Sequence, residues 1–309
     1  MKAAPHARAV SAPQGVPGGS GHLAFVGVLA AVAMIFFAAN SVLCRFALAD
    51  LGMDPTGYTA LRLGSGAAVL WAVLRCRSQG RVCAGSWPAA FCLFAYMALF
   101  SWAYVRIPAA AGALVIAVAV QATMLAAGLL LGQRPTCAQS LGIAVAMAGL
   151  VGLLLPGLDA PSPVGAGIIF CSGTAWALYT VQGRHSKDAL AATAGNFFRC
   201  LPLAALLLFG NVVQEGGRPS LPLAGVVCAV LAGALASGLG YVLWYAVVPR
   251  LTLPAAAVVQ LSVPLITALG GALWMGEAVT FRLACSGTAI LGGIFCAAVL
   301  PARRTPPAV

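Results

Sequence analysis

Long apolar runs separated by short polar connections dominate the chain, and each approaches the roughly 20 residues that an α-helix needs to cross the hydrocarbon of a bilayer. The runs fall at 23–43, 56–74, 88–105, 109–131, 137–155, 164–181, 190–212, 221–247, 253–275 and 283–300. They predict ten transmembrane helices. Because the apolar residues are continuous rather than alternating, a transmembrane β-barrel is excluded. The connections carry helix breakers, among them Asp54-Pro55, Arg134-Pro135, Pro156-Gly157 and Gly217-Arg218-Pro219, and none is long enough for an extramembrane domain. Residues 1–22 and 301–309 read as tails, the first disordered from its Ala, Pro, Gly and Ser content. No A-x-A cleavage pattern follows the first apolar run, which is therefore taken as a retained helix.

The runs are not independent of one another. Residues 250–295 repeat residues 106–151 without a gap, pairing Arg106 with Arg250, Gly132 with Gly276, Thr136 with Thr280 and Gly149 with Gly293. This internal repeat divides the chain into five-helix halves, 23–155 and 164–300. Five is odd, so the second half enters the membrane from the side opposite to the first. The expected fold is thus an all-α polytopic membrane protein of ten helices in two inverted repeats. Such an arrangement places a binding site between the halves near the midplane and permits alternating access. Gly128 with Gly132, and the pairs Gly270-Gly271 and Gly292-Gly293, supply the small residues that close helix packing in lipid requires.

Composition agrees with this reading: 61% of the 309 residues are hydrophobic and 7% charged, where a soluble domain carries about 25% charged residues. The net charge of +11 is spread over connections, not gathered into a nucleic-acid patch. With the amino terminus inside, Arg75, Arg77, Arg81, Arg134, Arg184, Lys187 and Arg250 face the cytoplasm against Arg45, Arg106, Arg218 and Arg282 outside. That bias places both termini in the cytoplasm. Most of the ten cysteines lie in or beside apolar runs as small hydrophobes, and Cys76 and Cys83 lack zinc spacing, so neither disulfides nor metal is expected.

Candidate chemistry sits inside the spans. Arg62 and Arg199 each lie within the second helix of their half, about 10 Å from the interface. Either they face a central cavity, to bind a carboxylate or gate each side in turn, or they snorkel to headgroups. Asn40, Ser41, Gln121, Asn196 and Gln260 are mid-helix polar residues that need partners, in a neighbouring helix or a ligand. Pro264 frees the backbone carbonyl of Gln260, giving a kink beside a cavity or a purely structural bend. Among the aromatics, Trp176 with Tyr179, and Tyr241 with Trp244 and Tyr245, are better pocket candidates than Trp102 and Tyr104, which fit an interfacial belt. Glu277 is the first suspect for proton coupling, against a capping role or a pair with Arg282.

The stretch 241–280, YVLWYAVVPRLTLPAAAVVQLSVPLITALGGALWMGEAVT, resembles the EamA-type transporters of the drug/metabolite transporter superfamily, as do, more weakly, 98–136 and the segment Ala175-Trp176-Ala177-Leu178-Tyr179. The chain departs from the common family pattern at Phe36-Phe37-Ala38-Ala39-Asn40 and at Gln133. The resemblance implies export of small metabolites, commonly amino acids or related compounds, across a bacterial inner membrane, without a cofactor. Efflux of apolar or cationic drugs is the rival within transport. An embedded enzyme would need clustered Asp, His or Cys, and His6, His22 and His185 have no carboxylate cluster beside them. The expected partners are a small-molecule substrate and the lipid bilayer, with monomer and homodimer both open.

Overall fold

The computed structural model describes residues 20–77, 84–130, 136–155, 160–183, 188–215, 219–247 and 259–299, and these form helices and short connections without a strand among them. The first half holds α1 (Ser20–Arg45), extended by a π-helical turn at Phe46–Asp50, then α2 (Pro55–Cys76), α3 (Trp87–Tyr104), α4 (Ala109–Leu130) and α5 (Cys137–Leu154). The second holds α6 (Pro163–Gly183), α7 (Ala189–Glu215), α8 (Leu223–Val247), α9 (Ser262–Met275) and α10 (Phe281–Val299). Helix α1 begins three residues before the expected start of its run. The candidate features Gln133, Cys83, Arg184, His185, Arg250, residues 253–258 and most of both tails lie outside the described residues.

Local chemistry sets the helix ends. Asp54 caps α2 by accepting from the Gly57 amide at 2.6 Å, with Pro55 at the first helical position where its missing N–H costs nothing. Thr136 and Gln139 form a reciprocal capping box on α5, 3.2 and 3.0 Å. Gly276 ends α9 in the left-handed region at φ +63°, where a Cβ would be strained.

Among the described residues six helices are long and apolar enough to cross a membrane, and Ala109–Met124, Ser262–Met275 and Phe281–Ala297 are shorter apolar helices. The remaining long helix, α2, carries Thr56, Thr59, Arg62 and Ser65, which dilute its apolar character. The ten predicted runs therefore resolve into elements of unequal span character. Large apolar side chains such as Phe209, Leu223, Leu273 and Phe281 point outward. Small and polar residues turn inward, including Asn40, Arg62, Ser101, Ser172 and Ser237. A protein solvated by lipid distributes its side chains in this way.

Contacts between the halves are reciprocal. Helix α1 packs on α8 and α9, while α6 packs on α3 and α4; α2 meets α8 as α7 meets α3; and α2–α7, α4–α9 and α5–α10 join corresponding helices. Exchanging α1 for α6, α2 for α7 and so on leaves these main contacts unchanged, while a smaller α4–α10 contact has no α9–α5 counterpart of similar extent. Glycine permits the closest approaches: a Cβ on Gly142 of α5 would lie 2.6 Å from the Gly293 carbonyl of α10.

Two helices depart from the continuous α-helix that their runs predict. Helix α8 is α-helical over Leu223–Leu231, π-helical over Ala232–Leu239 and α-helical again over Gly240–Val247. Ahead of α9, residues 259–260 are helical, Leu261 is a turn, and Ser262 Oγ donates to the Val259 carbonyl at 2.7 Å. The break at Leu261 falls three residues before Pro264, within the turn that loses its amide donor.

Candidate functional site

The π-helical stretch of α8 fixes the centre of the site. Gly233 seats it against α2 so closely that a Cβ there would overlap Ser65 Oγ and the Arg62 carbonyl. Widening the helix rotates Ser237 toward α2, where its Oγ accepts from Arg62 Nε at 3.1 Å. A cavity of about 120 Å³ opens beside this contact. Its walls come from α1, α3, α4, α6 and α8 and from the break before α9, and thus from both halves.

One side of the cavity is aromatic. Tyr96 lies 5.0 Å from Trp176, which lies 5.2 Å from Tyr241, and Tyr241 lies 5.9 Å from Phe37, all between ring centroids. Polar lining comes from Asn40, Ser41, Gln121, Ser237 and Gln260. Asn40 and Ser41 are buried, whereas Gln121, Trp176 and Gln260 are half-exposed.

Arg62 stands immediately behind this wall and is completely buried. It does not line the cavity and does not snorkel. Its Nη2 donates to the Tyr96 hydroxyl at 3.2 Å, and the guanidinium carbon lies 5.4 and 5.0 Å from the ring centroids of Tyr96 and Phe100. Nη1 has no hydrogen-bond partner, and no carboxylate pairs with Arg62 among the described residues. Asn40 Oδ1 and the Tyr241 hydroxyl are likewise buried without partners. An unpaired cation out of water is costly unless something else in the site compensates it.

The structure gathers Asn40, Ser41, Gln121, Gln260, Trp176, Tyr241 and Pro264 onto the cavity and separates the other candidates from it. Arg199, for which a cavity and a headgroup position were both open, instead donates from Nη1 to the carbonyls of Ala84 and Gly195, both at 2.8 Å, tying α7 to the start of α3. Asn196 accepts from the Ser86 amide at 2.9 Å in the same tie. Tyr179 is buried behind Trp176, 5.7 Å between centroids, and Tyr245 is half-buried outside the lining.

Glu277 also needs correction: its partner is Arg45 at 3.2 Å, not Arg282, which donates to the Leu155 carbonyl. Its carboxylate accepts from the Ala109 amide at 2.9 and 3.1 Å, where the α4 N-terminus favours an anion. The side chain is only 15% exposed, so it is held by protein rather than by interface water.

Tyr96, Phe100 and Ser237 were missed as candidates. A tyrosine hydroxyl in the middle of an apolar run was the available signal for Tyr96. Nothing in the local sequence marks a π-helix at Ser237.

A multi-pass helical membrane protein whose two halves enclose a small polar and aromatic cavity belongs to the class of membrane transporters. The chain matches the family model of the EamA-like transporter family over residues 25–155 and again over 163–299. It is a member of that family. It is 49% identical over 268 residues to an uncharacterized protein of Pseudomonas aeruginosa, covering 86% of this chain and 92% of the relative. It is 29% identical over 186 residues to a probable terminal-alkyne amino-acid exporter of Streptantibioticus cattleyicolor, covering 59% of this chain and 62% of that protein. A crystal structure with a TM-score of 0.60 and 25% identity matches 89% of this chain and 99% of its own.

Proposed function

We propose that the protein is a secondary exporter of small carboxylated metabolites, amino acids or close relatives, working by alternating access in a bacterial inner membrane. The carrying observation is Arg62, a fully buried guanidinium without a carboxylate partner among the described residues, set against the cavity wall. A substrate anion supplies the compensating charge, so the site binds strongly only what carries one. The aromatic side of the cavity suits an apolar substrate body. The name of the Streptantibioticus relative, an amino-acid exporter, supports the same class.

Two features support ten spanning helices in inverted repeats. The family model fits twice, and the main inter-half contacts map onto themselves when the halves are exchanged. The asymmetry of the cavity supports alternation: it is buried toward Asn40 and Ser41, beneath the Arg45–Glu277 pair, and half-open toward Gln121 and Gln260. By the distribution of basic residues, the sealed end faces outward and both termini face the cytoplasm.

Efflux of apolar compounds is the second reading, favoured by the Tyr96–Trp176–Tyr241 wall; the buried cation counts against cationic drugs. The purified protein in detergent separates the two readings through its thermal stability against amino acids, other carboxylates and apolar or cationic drugs. A ligand at 100 times its dissociation constant adds about 2.7 kcal/mol to the folded state. Stabilisation by amino acids supports the proposal, and stabilisation by apolar compounds alone overturns it.

A further inference from the structure

The hydrogen-bond inventory around Arg62 specifies how a carboxylate would be held. A phenol or alcohol oxygen offers two lone pairs and a single proton. The Tyr96 oxygen already accepts twice, from Arg62 Nη2 at 3.2 Å and from Asn40 Nδ2 at 3.5 Å. Ser237 Oγ accepts from Arg62 Nε at 3.1 Å. Neither hydroxyl proton meets an acceptor among the described residues. Tyr96 and Ser237 both line the cavity, whereas Arg62, whose guanidinium orients their hydroxyls, does not. The outcome is a pair of hydroxyls on cavity-lining residues, polarised by one buried positive charge and each with its proton left to donate.

Building on the amino-acid reading above, we infer that the Tyr96 and Ser237 hydroxyls are the direct ligands of the substrate carboxylate, and that Arg62 is a positioning residue behind them. A carboxylate is an acceptor with no proton of its own, so it satisfies both donors and neutralises the charge that polarises them. Arg62 itself stays outside the lining, with the rings of Tyr96 and Phe100 packed against its guanidinium. The neighbouring chemistry is of opposite kind. Asn40 Oδ1, on the residue that bonds Tyr96, is a buried acceptor without a partner, and the Trp176 and Tyr241 rings stand nearby. An ammonium one carbon away from the carboxylate finds an acceptor and aromatic faces there. The site thus selects the α-amino acid pattern, with the side chain directed along the aromatic wall.

The test uses the purified full-length protein and compares the dissociation constants of L-leucine and L-phenylalanine with those of leucinamide and phenylalaninamide, which keep the ammonium and side chain but lose the anion. The wild type is expected to favour the acids at least tenfold. Tyr96→Phe keeps the ring and removes the hydroxyl, and Ser237→Ala does the same for the serine. Each is expected to cut the acid-to-amide preference several-fold, and the double variant to bring it near parity, with the amides, whose carbonyl is a neutral acceptor, weakened less than the acids. Arg62→Lys retains the charge but not the fork that meets both hydroxyls, and is expected to lose most of the preference as well. Preference undiminished in Tyr96→Phe and Ser237→Ala would overturn the inference while leaving the amino-acid reading intact. Failure of the wild type to bind any acid would overturn both. A structural defect would weaken acids and amides alike, so an unchanged ratio with weaker binding also counts against the inference.

Discussion

Arg45 Nε and Glu277 Oε1 lie 3.2 Å apart although 232 positions separate them in the chain, and their contact joins the end of α1 to the turn after α9. Arg45 also donates to the Tyr104 carbonyl at 2.9 Å, and Glu277 accepts from the Ala109 amide. One ion pair therefore ties four helix ends together above the buried end of the cavity. Glu277→Gln keeps an acceptor for Ala109 and removes the charge. In a background without reactive native cysteines, Ser41→Cys should react with a thiol reagent about fivefold faster once Glu277→Gln is added, a modest coupling between the pair and closure of that end. Unchanged reactivity would show that the pair does not control access.

Removing Glu277 altogether has a second consequence. Glu277→Ala deletes both the ion pair and the acceptor at the start of α4. Loss of a charge-assisted hydrogen bond of this kind costs about 2 kcal/mol, which should appear as a melting point lower than that of Glu277→Gln.

Arg62 should separate stability from function. Arg62→Met replaces an uncompensated buried cation with an apolar chain of similar length, a change that often leaves stability level or raises it. The melting temperature should match or exceed the wild type, with substrate stabilisation lost. A large destabilisation would mean that the bonds to Tyr96 and Ser237 outweigh the burial of charge.

Gly233 admits no side chain. Its Cβ would overlap backbone and side chain of α2 at Arg62 and Ser65, so Gly233→Ala should cost about 3 kcal/mol. Gly292, whose Cβ would meet nothing within 4 Å, serves as the control: Gly292→Ala should be neutral or slightly stabilising in thermal unfolding.

The boundaries of most helices were legible in the sequence because breakers and caps are local: Asp54-Pro55 and Thr136 act on the amides that follow them. Arg62 was legible because a charge inside an apolar run is conspicuous. Facing directions were not, since helices that are apolar on every side lack the polar stripe that reveals orientation. Hence Arg62 and Arg199 look alike in sequence, yet one sits behind the cavity wall and the other holds the Ala84 carbonyl. The partner of Glu277 was equally hidden. Arg282 is five positions away and Arg45 lies in the other half, and only the packing of α1 against α9 decides between them.

The central claim is that this chain moves amino acids through a site charged by Arg62. Its most direct test is counterflow of radiolabelled L-leucine and L-phenylalanine in liposomes containing the wild-type protein or Arg62→Met, at equal incorporation. The wild type should accumulate label above protein-free liposomes, and Arg62→Met should not. Equal accumulation by both proteins would remove Arg62 from the mechanism, and none by the wild type would contradict amino-acid transport itself.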